Sequence, residues 1–329
     1  MNRPLVVRIL TTTACNASCA YCYERGVPIS TMTADTARQT AAFIAERAVL
    51  ADAGHVFLEW FGGEPTLNIE AIDAICSALY AAGARYSSSI VTNGLLMDDR
   101  ITQERIWLWR LDRTQITLDG PETTHESVKA FPPGSYHRII HNIHILTEKG
   151  VRVKLRLNYA ENDDAISQLI DDLREEFSGH ENVSVYICPV YSQSKEYPRI
   201  VMQEVLKLQH RLVESGLATE KQLFALHERK NRCFMMTEGG YTIAPDGRLF
   251  NCSHNMTDKQ CVGSVWAYNE NNPVRRAFLS CAAMDECGKC AMFPYCKGGC
   301  RIAEMGLADM IQCHPYKAVL SELGVETKQ

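Results

Sequence analysis

The sequence predicts an α/β protein: a partial (β/α)6 TIM-type barrel followed by a small cysteine-rich C-terminal domain. Three observations predict it. Short β-branched runs alternate with helical patterns of about 10 to 15 residues over the first two-thirds of the chain, which is the signature of βαβ units with right-handed crossovers. Six such units can be counted, fewer than the eight that close a barrel. Beyond residue 230 the helical patterns shorten, and nine of the 14 cysteines fall between Cys233 and Cys313.

Taken in order, LVVRIL (5–10) reads as the first strand, and the span from Ala34 to Val49 has apolar residues at helical spacing. HVFLEWFGG is a strand ending in a glycine pair, followed by a helix from Ile69 to Ala82 and the strand SSIVTNG. A helix from Asp99 to Leu111 leads to the strand TQITLDG, and a helix from Tyr136 to Lys149 leads to VRVKLRLNY. The helix Ala165 to Phe177 and the strand NVSVYICPV complete the series. From Pro198 to Arg229 the pattern is helical and more charged, reading as a connector. In IAPDGRLFNC an Asp-Gly pair between apolar runs predicts a hairpin. The expected organisation is therefore a barrel over 1–197, a helical connector over 198–230 and a cysteine-rich domain over 231–329.

The 329 residues carry 34 Lys and Arg against 39 Asp and Glu, a net charge of -5, and no basic run of the kind that binds nucleic acid or an anionic membrane. Neither partner is expected. The N-terminus lacks the apolar core of a secretory signal, and no run is long enough to span a bilayer, so the expected location is cytoplasmic. There thiols stay reduced and a chain of this length needs no disulfide staples, which leaves metal as the reason for so many cysteines.

Cys15, Cys19 and Cys22 follow the first strand directly, on the face of a β/α barrel where active sites lie. Three thiolates on one short loop can converge on a 4Fe-4S cluster but fill only three of its iron positions, whereas four cysteines are the usual complement. An isolated triad thus implies an outside ligand; a zinc site that borrows His55 is the competing reading. The spacing, with Tyr21 before the last cysteine, resembles the signature of radical S-adenosylmethionine enzymes. The resemblance implies that the open iron is chelated by the methionine moiety of S-adenosylmethionine. Reductive cleavage then gives a 5'-deoxyadenosyl radical that takes a hydrogen from substrate, fed by an electron donor of the flavodoxin or ferredoxin type.

Further segments match at the expected strands. Gly62-Gly63-Glu64-Pro65 resembles the family's GGEP motif, which implies contacts to the methionine amino group; glycine admits close backbone approach and a carboxylate accepts from an ammonium. Thr92-Asn93-Gly94 and Thr117-Leu118-Asp119-Gly120 end the third and fourth strands and resemble segments lining the ribose and substrate side, with Asn158 of the fifth strand joining the same pocket. Tyr21, Thr92, Asn93, Asp119 and Asn158 are thus expected on the cofactor side.

Cys233-x13-Gly247-x4-Cys252, then Cys287-x2-Cys290-x5-Cys296-x3-Cys300 and Cys313, resembles the seven-cysteine SPASM extension, an auxiliary-cluster domain. By that resemblance Cys287, Cys290, Cys296 and Cys313 hold a distal iron-sulfur cluster, and Cys233, Cys252 and Cys300 a second one nearer the barrel. The second set is one ligand short. His227 stands where relatives carry a further cysteine, Cys261 or Cys281 are surplus to the motif, and an iron open to substrate is the remaining alternative. Cys261 also reads as a buried residue of a strand, and Cys76 and Cys188 as core.

Enzymes with this extension mostly modify peptides or proteins. The resemblance offers two chemistries: oxidation of cysteine or serine to formylglycine in sulfatases, and intrachain thioether or carbon-carbon crosslinking of ribosomal peptides. Sulfatase maturases carry an aspartate base directly after the cysteine of the Gly-x4-Cys segment, and here that residue is Ser253. A serine hydroxyl cannot accept a proton near neutral pH as a carboxylate does, which favours crosslinking; Asp119 and His254 remain candidate bases. One strand separates the start of the sequence from the triad loop, so leader recognition is expected from a separate protein or from the barrel. A non-catalytic electron-transfer or zinc scaffold is the reading of another class.

Overall fold

A parallel strand covered by helices on one side must put apolar residues on that side, and here every strand of the barrel does so by alternation. The computed structural model describes residues 5–190, 197–223, 233, 235, 237, 239–305, 313–319 and 321–323. Its elements run β1 (Leu5–Thr12), α1 (Ala34–Leu50), β2 (Val56–Gly62), α2 (Ile69–Ala81), β3 (Tyr86–Thr92), α3 (Asp99–Glu104), α4 (Ile106–Trp109), β4 (Leu111–Leu118), α5 (Glu122–Lys129), α6 (Ser135–Glu148), β5 (Arg152–Tyr159), α7 (Asp163–Phe177) and β6 (Val183–Pro189). There follow α8 (Arg199–Glu214), α9 (Glu220–Leu223), β7 (Gly240–Ile243), β8 (Arg248–Phe250), β9 (Cys261–Ser264), α10 (Pro273–Ser280), α11 (Phe293–Cys296) and α12 (Arg301–Glu304).

All six predicted βα strands pair in parallel, and among the described residues they belong to one nine-stranded sheet of order β6-β5-β4-β3-β2-β1-β7-β8-β9. The sheet ends at β6 and does not close, as six units require. Leu5, Val7 and Ile9 of β1, Leu58 and Trp60 of β2, and Val153, Leu155 and Leu157 of β5 are buried in the core shared with the helices. The alternate positions include Arg8 of β1, Glu59 of β2 and Lys154, Arg156 and Asn158 of β5, and these give the inner face its charge.

The cysteine-rich segment continues the sheet. β7 pairs in parallel with β1, from Val6 opposite Gly240 to Ile9 opposite Ile243, and β8 and β9 follow antiparallel. The predicted Asp-Gly hairpin joins β7 to β8: Gly247 donates to the Ala244 carbonyl and sits at φ +79. A side chain there would also strike the Trp266 ring, 2.4 Å from an added Cβ. Gly247 of the seven-cysteine pattern thus has both a conformational and a packing cause.

Four expectations need correction. The single helix read over 99–111 is two, broken at Arg105, and β4 already begins at Leu111. The cause is Asp73 of α2, which receives the Arg105 guanidinium at 2.9 Å and the Trp109 indole at 2.7 Å, while Arg110 turns the chain at φ +47. The α5 helix is additional; its polar, threonine-containing sequence gives little apolar periodicity. Cys188 lies in β6 but is half-buried, because it shares the inner face with Asn158, its register partner. Cys261 is likewise half-buried, at the first position of β9. Cys76, in contrast, is fully buried.

Candidate active site and metal centres

The triad loop leaves β1 after Thr12 and is held on three sides. At the end of β2, Gly63 donates to Thr12 O and Glu64 to Ala14 O. A Cβ on Gly62 would lie 2.2 Å from Thr12 O, and one on Gly63 2.3 Å from Ala14 O, so only glycines allow this contact. At the end of β3, Asn93 donates to the Asn16 side chain at 2.7 Å. From α5, the Lys129 carbonyl accepts from Ser18 N.

Cys15, Cys19 and Cys22 line one cavity of about 500 Å³ together with Tyr21, Gly62, Gly63, Thr92, Asn93 and Asn158. That size suits a cofactor-sized ligand. Burial, opposed by the Ala17 amide, and the charges of Glu64 and the other two thiols raise the Cys15 thiol. Like charges held around one space are what bound iron would relieve, so the donor set fits a thiolate-bound cluster. Among the described residues no three His, Cys, Asp or Glu side chains close on a single ion; a multi-iron cluster fills the space between thiolates and needs no such point. His55 is bonded instead to Ser87, at 2.8 Å.

Two predicted residues stand behind the cavity wall. Glu64 is fully buried, and its carboxylate accepts from Thr66 N and Oγ1, Thr92 Oγ1 and Asn93 N. Burial raises its pKa against those hydrogen bonds. Glu64 and Thr92 thereby tie the end of β2 to the end of β3, with Pro65 starting the turn that follows. Asp119 accepts from Tyr21 Oη at 2.7 Å and Asn158 Nδ2 at 2.9 Å, and pairs with Lys129 at 3.1 Å. Burial alone would raise the Asp119 carboxyl; the Lys129 ammonium and these hydrogen bonds outweigh it and hold it below the ordinary range. His125 Nδ1 lies 3.7 Å from Asp119 Oδ2, but it accepts from the Asp119 amide, and burial together with Lys129 pushes its pKa down to about 4. It is a neutral hydrogen-bond acceptor there, not an ion-pair partner.

The same cavity has a charged inner face. Arg8 of β1 bonds Glu59 of β2 at 2.5 Å and the Ser253 hydroxyl at 2.7 Å, and stacks on Phe61. Arg156 of β5 donates to Asn158 at 2.8 Å, and Gln115 receives the Tyr186 hydroxyl at 3.0 Å. His254 also lines the cavity, stacked on Tyr23 at 4.3 Å; burial and then the charges of Arg8 and Arg156 push it down to about 4. Lys129, Arg8, Glu59, Gln115 and Arg156 belong to none of the motifs, and Lys129 and Gln115 carry no sign in the sequence. For Arg8, Glu59 and Arg156 a signal was present: they are charges inside strands that helix-covered parallel sheets normally fill with apolar residues.

Of the C-terminal cysteines, Cys287, Cys290, Cys296 and Cys313 line one small cavity, with Met292, Phe293, His314 and Lys317. Cys233 and Cys300 are both near enough to raise Cys252, which burial pushes up to about 11. Cys261 donates to Gly263 O and Cys281 to Ala282 O, each to the backbone of its own segment. His227 lies outside the described residues.

The Radical SAM superfamily profile matches residues 9–173, and the chain belongs to that superfamily: it is an enzyme of the class that uses S-adenosylmethionine with a 4Fe-4S cluster. Along nearly the whole chain the fold is that of anSMEcpe, solved with bound AdoMet, at 16% identity over 99% of each chain and a TM-score of 0.71. It is similarly that of Streptococcus suis SuiB bound to precursor peptide SuiA, at 14% identity over 95% of this chain and 76% of that one, with a TM-score of 0.65. At such identities the likeness is one of fold. Among curated proteins the chain is 27% identical over 178 residues to a probable GTP 3',8-cyclase of Methanosarcina mazei, and 34% over 113 residues to the GTP 3',8-cyclase of Chlorobaculum tepidum. It spans 50% of the first and 32% of the second. No described helix is long and apolar enough to cross a membrane.

Proposed function

We propose that the chain is a SPASM-type peptide maturase, which takes hydrogen from a ribosomally made peptide and closes an intrachain thioether or carbon-carbon crosslink. The observation that carries this choice is at Ser253. Its hydroxyl accepts from Arg8 and is buried, so the position where sulfatase maturases hold a carboxylate base is here a neutral group tied to a cation. Such a group cannot take the proton that formylglycine formation releases. The likeness to SuiB, solved with a precursor peptide, supports a peptide as substrate. Superfamily membership sets the scaffold reading aside.

Cys15, Cys19 and Cys22 would hold the first cluster, and with S-adenosylmethionine bound the site supplies a hydrogen-abstracting radical. Gly62 and Gly63 would present backbone to the cofactor, with Tyr21, Thr92, Asn93 and Asn158 as polar wall. Glu64 and Asp119 would act through that wall, fixing Thr92, Asn93, Tyr21 and Asn158. Auxiliary clusters would occupy the sets Cys287, Cys290, Cys296, Cys313 and Cys233, Cys252, Cys300. A flavodoxin- or ferredoxin-type donor supplies the electron, and a separate protein or the barrel itself binds the leader.

Anaerobic reconstitution should give iron and sulfide for three clusters and, with reductant, 5'-deoxyadenosine. A peptide encoded beside the gene should lose two hydrogen atoms. Cys19→Ala should abolish cleavage and keep the auxiliary iron. A mass change confined to a sulfatase peptide would overturn the crosslinking reading.

A further inference from the structure

The middle of the triad loop is gripped by the end of α5. This helix closes at Lys129, where Ala130 turns the chain at φ +54 and donates to Ser127 O. The last carbonyls of a helix have no partner within it, and that of Lys129 accepts from Ser18 N at 2.9 Å. The Lys129 ammonium donates to Tyr21 Oη at 3.0 Å and lies 5.6 Å from the centre of that ring. One residue therefore holds the loop on both sides of Cys19, by its backbone at Ser18 and by its side chain at Tyr21.

The same side chain brings a charge. Lys129 lines the cavity with Cys15, Cys19 and Cys22, while Asp119, its ion-pair partner at 3.1 Å, stands behind the wall. The pair is thus a dipole with its cation toward the thiols. Burial disfavours the Lys129 charge, and Asp119, then Tyr21, then Cys19 restore it. Burial also raises the Cys15 and Cys22 thiols, and Glu64 at the first and Glu24 at the second add to it; at Cys22 the Lys129 ammonium works the other way. Cys15 has a neutral donor as well, the Ala17 amide at 3.4 Å. Charge acts more strongly in such a buried setting than in water, and the potential of an iron-sulfur cluster follows the charge and hydrogen bonds around its sulfurs.

We propose that Lys129 sets the reduction potential of the cluster held by Cys15, Cys19 and Cys22, its ammonium stabilising the reduced and more negative state. The step concerned moves one electron from the flavodoxin- or ferredoxin-type donor to the cluster, with no bond made or broken. The proposal rests on a cluster at the triad, and not on which bond the enzyme makes in its peptide.

The test is a redox titration of the reconstituted full-length enzyme, followed by electron paramagnetic resonance without S-adenosylmethionine, so that no contact to the cofactor enters. The signal missing from Cys19→Ala belongs to the triad cluster, and the signals that remain are the control and should not move. Lys129→Met combined with Asp119→Asn removes both charges and strands neither. In this double variant reduction should be about tenfold less favourable, a midpoint about 59 mV more negative. Asp119→Asn alone leaves the cation uncompensated and should move the midpoint the other way, and Lys129→Arg should stay near the unaltered enzyme. Iron content and melting temperature confirm that each variant folds and carries its clusters. Shifts of opposite sign come from charge, since a merely loosened loop has no reason to reverse direction. An unchanged midpoint in the double variant, or shifts of one sign in it and in Asp119→Asn, would overturn the proposal and leave the peptide-maturase reading intact. If the double variant loses the triad iron, Asp119→Asn decides: a positive shift supports the proposal, and a zero or negative one overturns it. A triad that takes up no iron in the unaltered enzyme would overturn both.

Discussion

Lys129 belongs to no motif in the sequence, yet it holds together the residues that do. Its ammonium is buried, pairs with Asp119 at 3.1 Å and donates to Tyr21 at 3.0 Å. Burial opposes its charge, and Asp119 then Tyr21 outweigh that and raise its pKa. Lys129→Met would strand a buried carboxylate at a cost of about 3–5 kcal/mol, read as a lower melting temperature. The pH response follows from the sign of the Asp119 shift. A carboxyl held below its unfolded pKa stabilises the fold above that unfolded value, and the contribution is lost as pH falls through the lowered folded value. Without Lys129 the carboxyl rises, so the acid-unfolding midpoint of Lys129→Met should move to higher pH. An unchanged midpoint would mean that the pair contributes nothing to the folded state. The ten motif cysteines, Gly62, Gly63 and Asp119 were legible because their spacing along the chain is itself the signal. Lys129 was not, since its partners lie 108 and 10 positions away and only the fold brings them together.

Among the elements, the strands and long helices were readable to within a few residues, because one face of each is apolar at its own period. The break at Arg105 and the α5 helix were not: the first depends on Asp73 in another helix, and the second is short and polar. The junction of β2 with the triad loop joins sequence to site most directly. A Cβ on Gly63 would meet Ala14 O at 2.3 Å and Thr13 O at 2.6 Å, both backbone atoms of that loop. Neither can turn aside as a side chain would, so Gly63→Ala must push the loop away from β2. It should cost about 1–3 kcal/mol and lower the iron bound by the triad. Gly54→Ala, whose nearest neighbour is a flexible Arg85 tip at 3.7 Å, is the control and should change neither. Equal iron content in both variants would show that the contact does not place the loop.

On the scale of the whole molecule, composition marks a change near residue 230, but the sheet runs through it. β7 covers the edge of β1 from Val6 to Ile9, and Tyr241 and Tyr268 pack edge to face on Phe43 of α1. Arg8, at the centre of that same strand, reaches across to Ser253. This junction was illegible in the sequence, since the short run GYTI carries no sign of which strand it will join. If 231–329 is removed, β1 becomes an open edge strand, Phe43 loses both tyrosines, and the Arg8 guanidinium keeps Glu59 but loses its hydroxyl anchor. An uncovered edge of this kind invites association with other chains. A chain ending at residue 230 should therefore aggregate or melt without cooperativity and should not cleave S-adenosylmethionine, even though the triad and its loop are intact. Circular dichroism melting and size-exclusion chromatography decide the matter. A monomeric fragment that melts cooperatively near the full-length temperature would show that the barrel is stable without β7, and that the extension serves only to carry its cysteines.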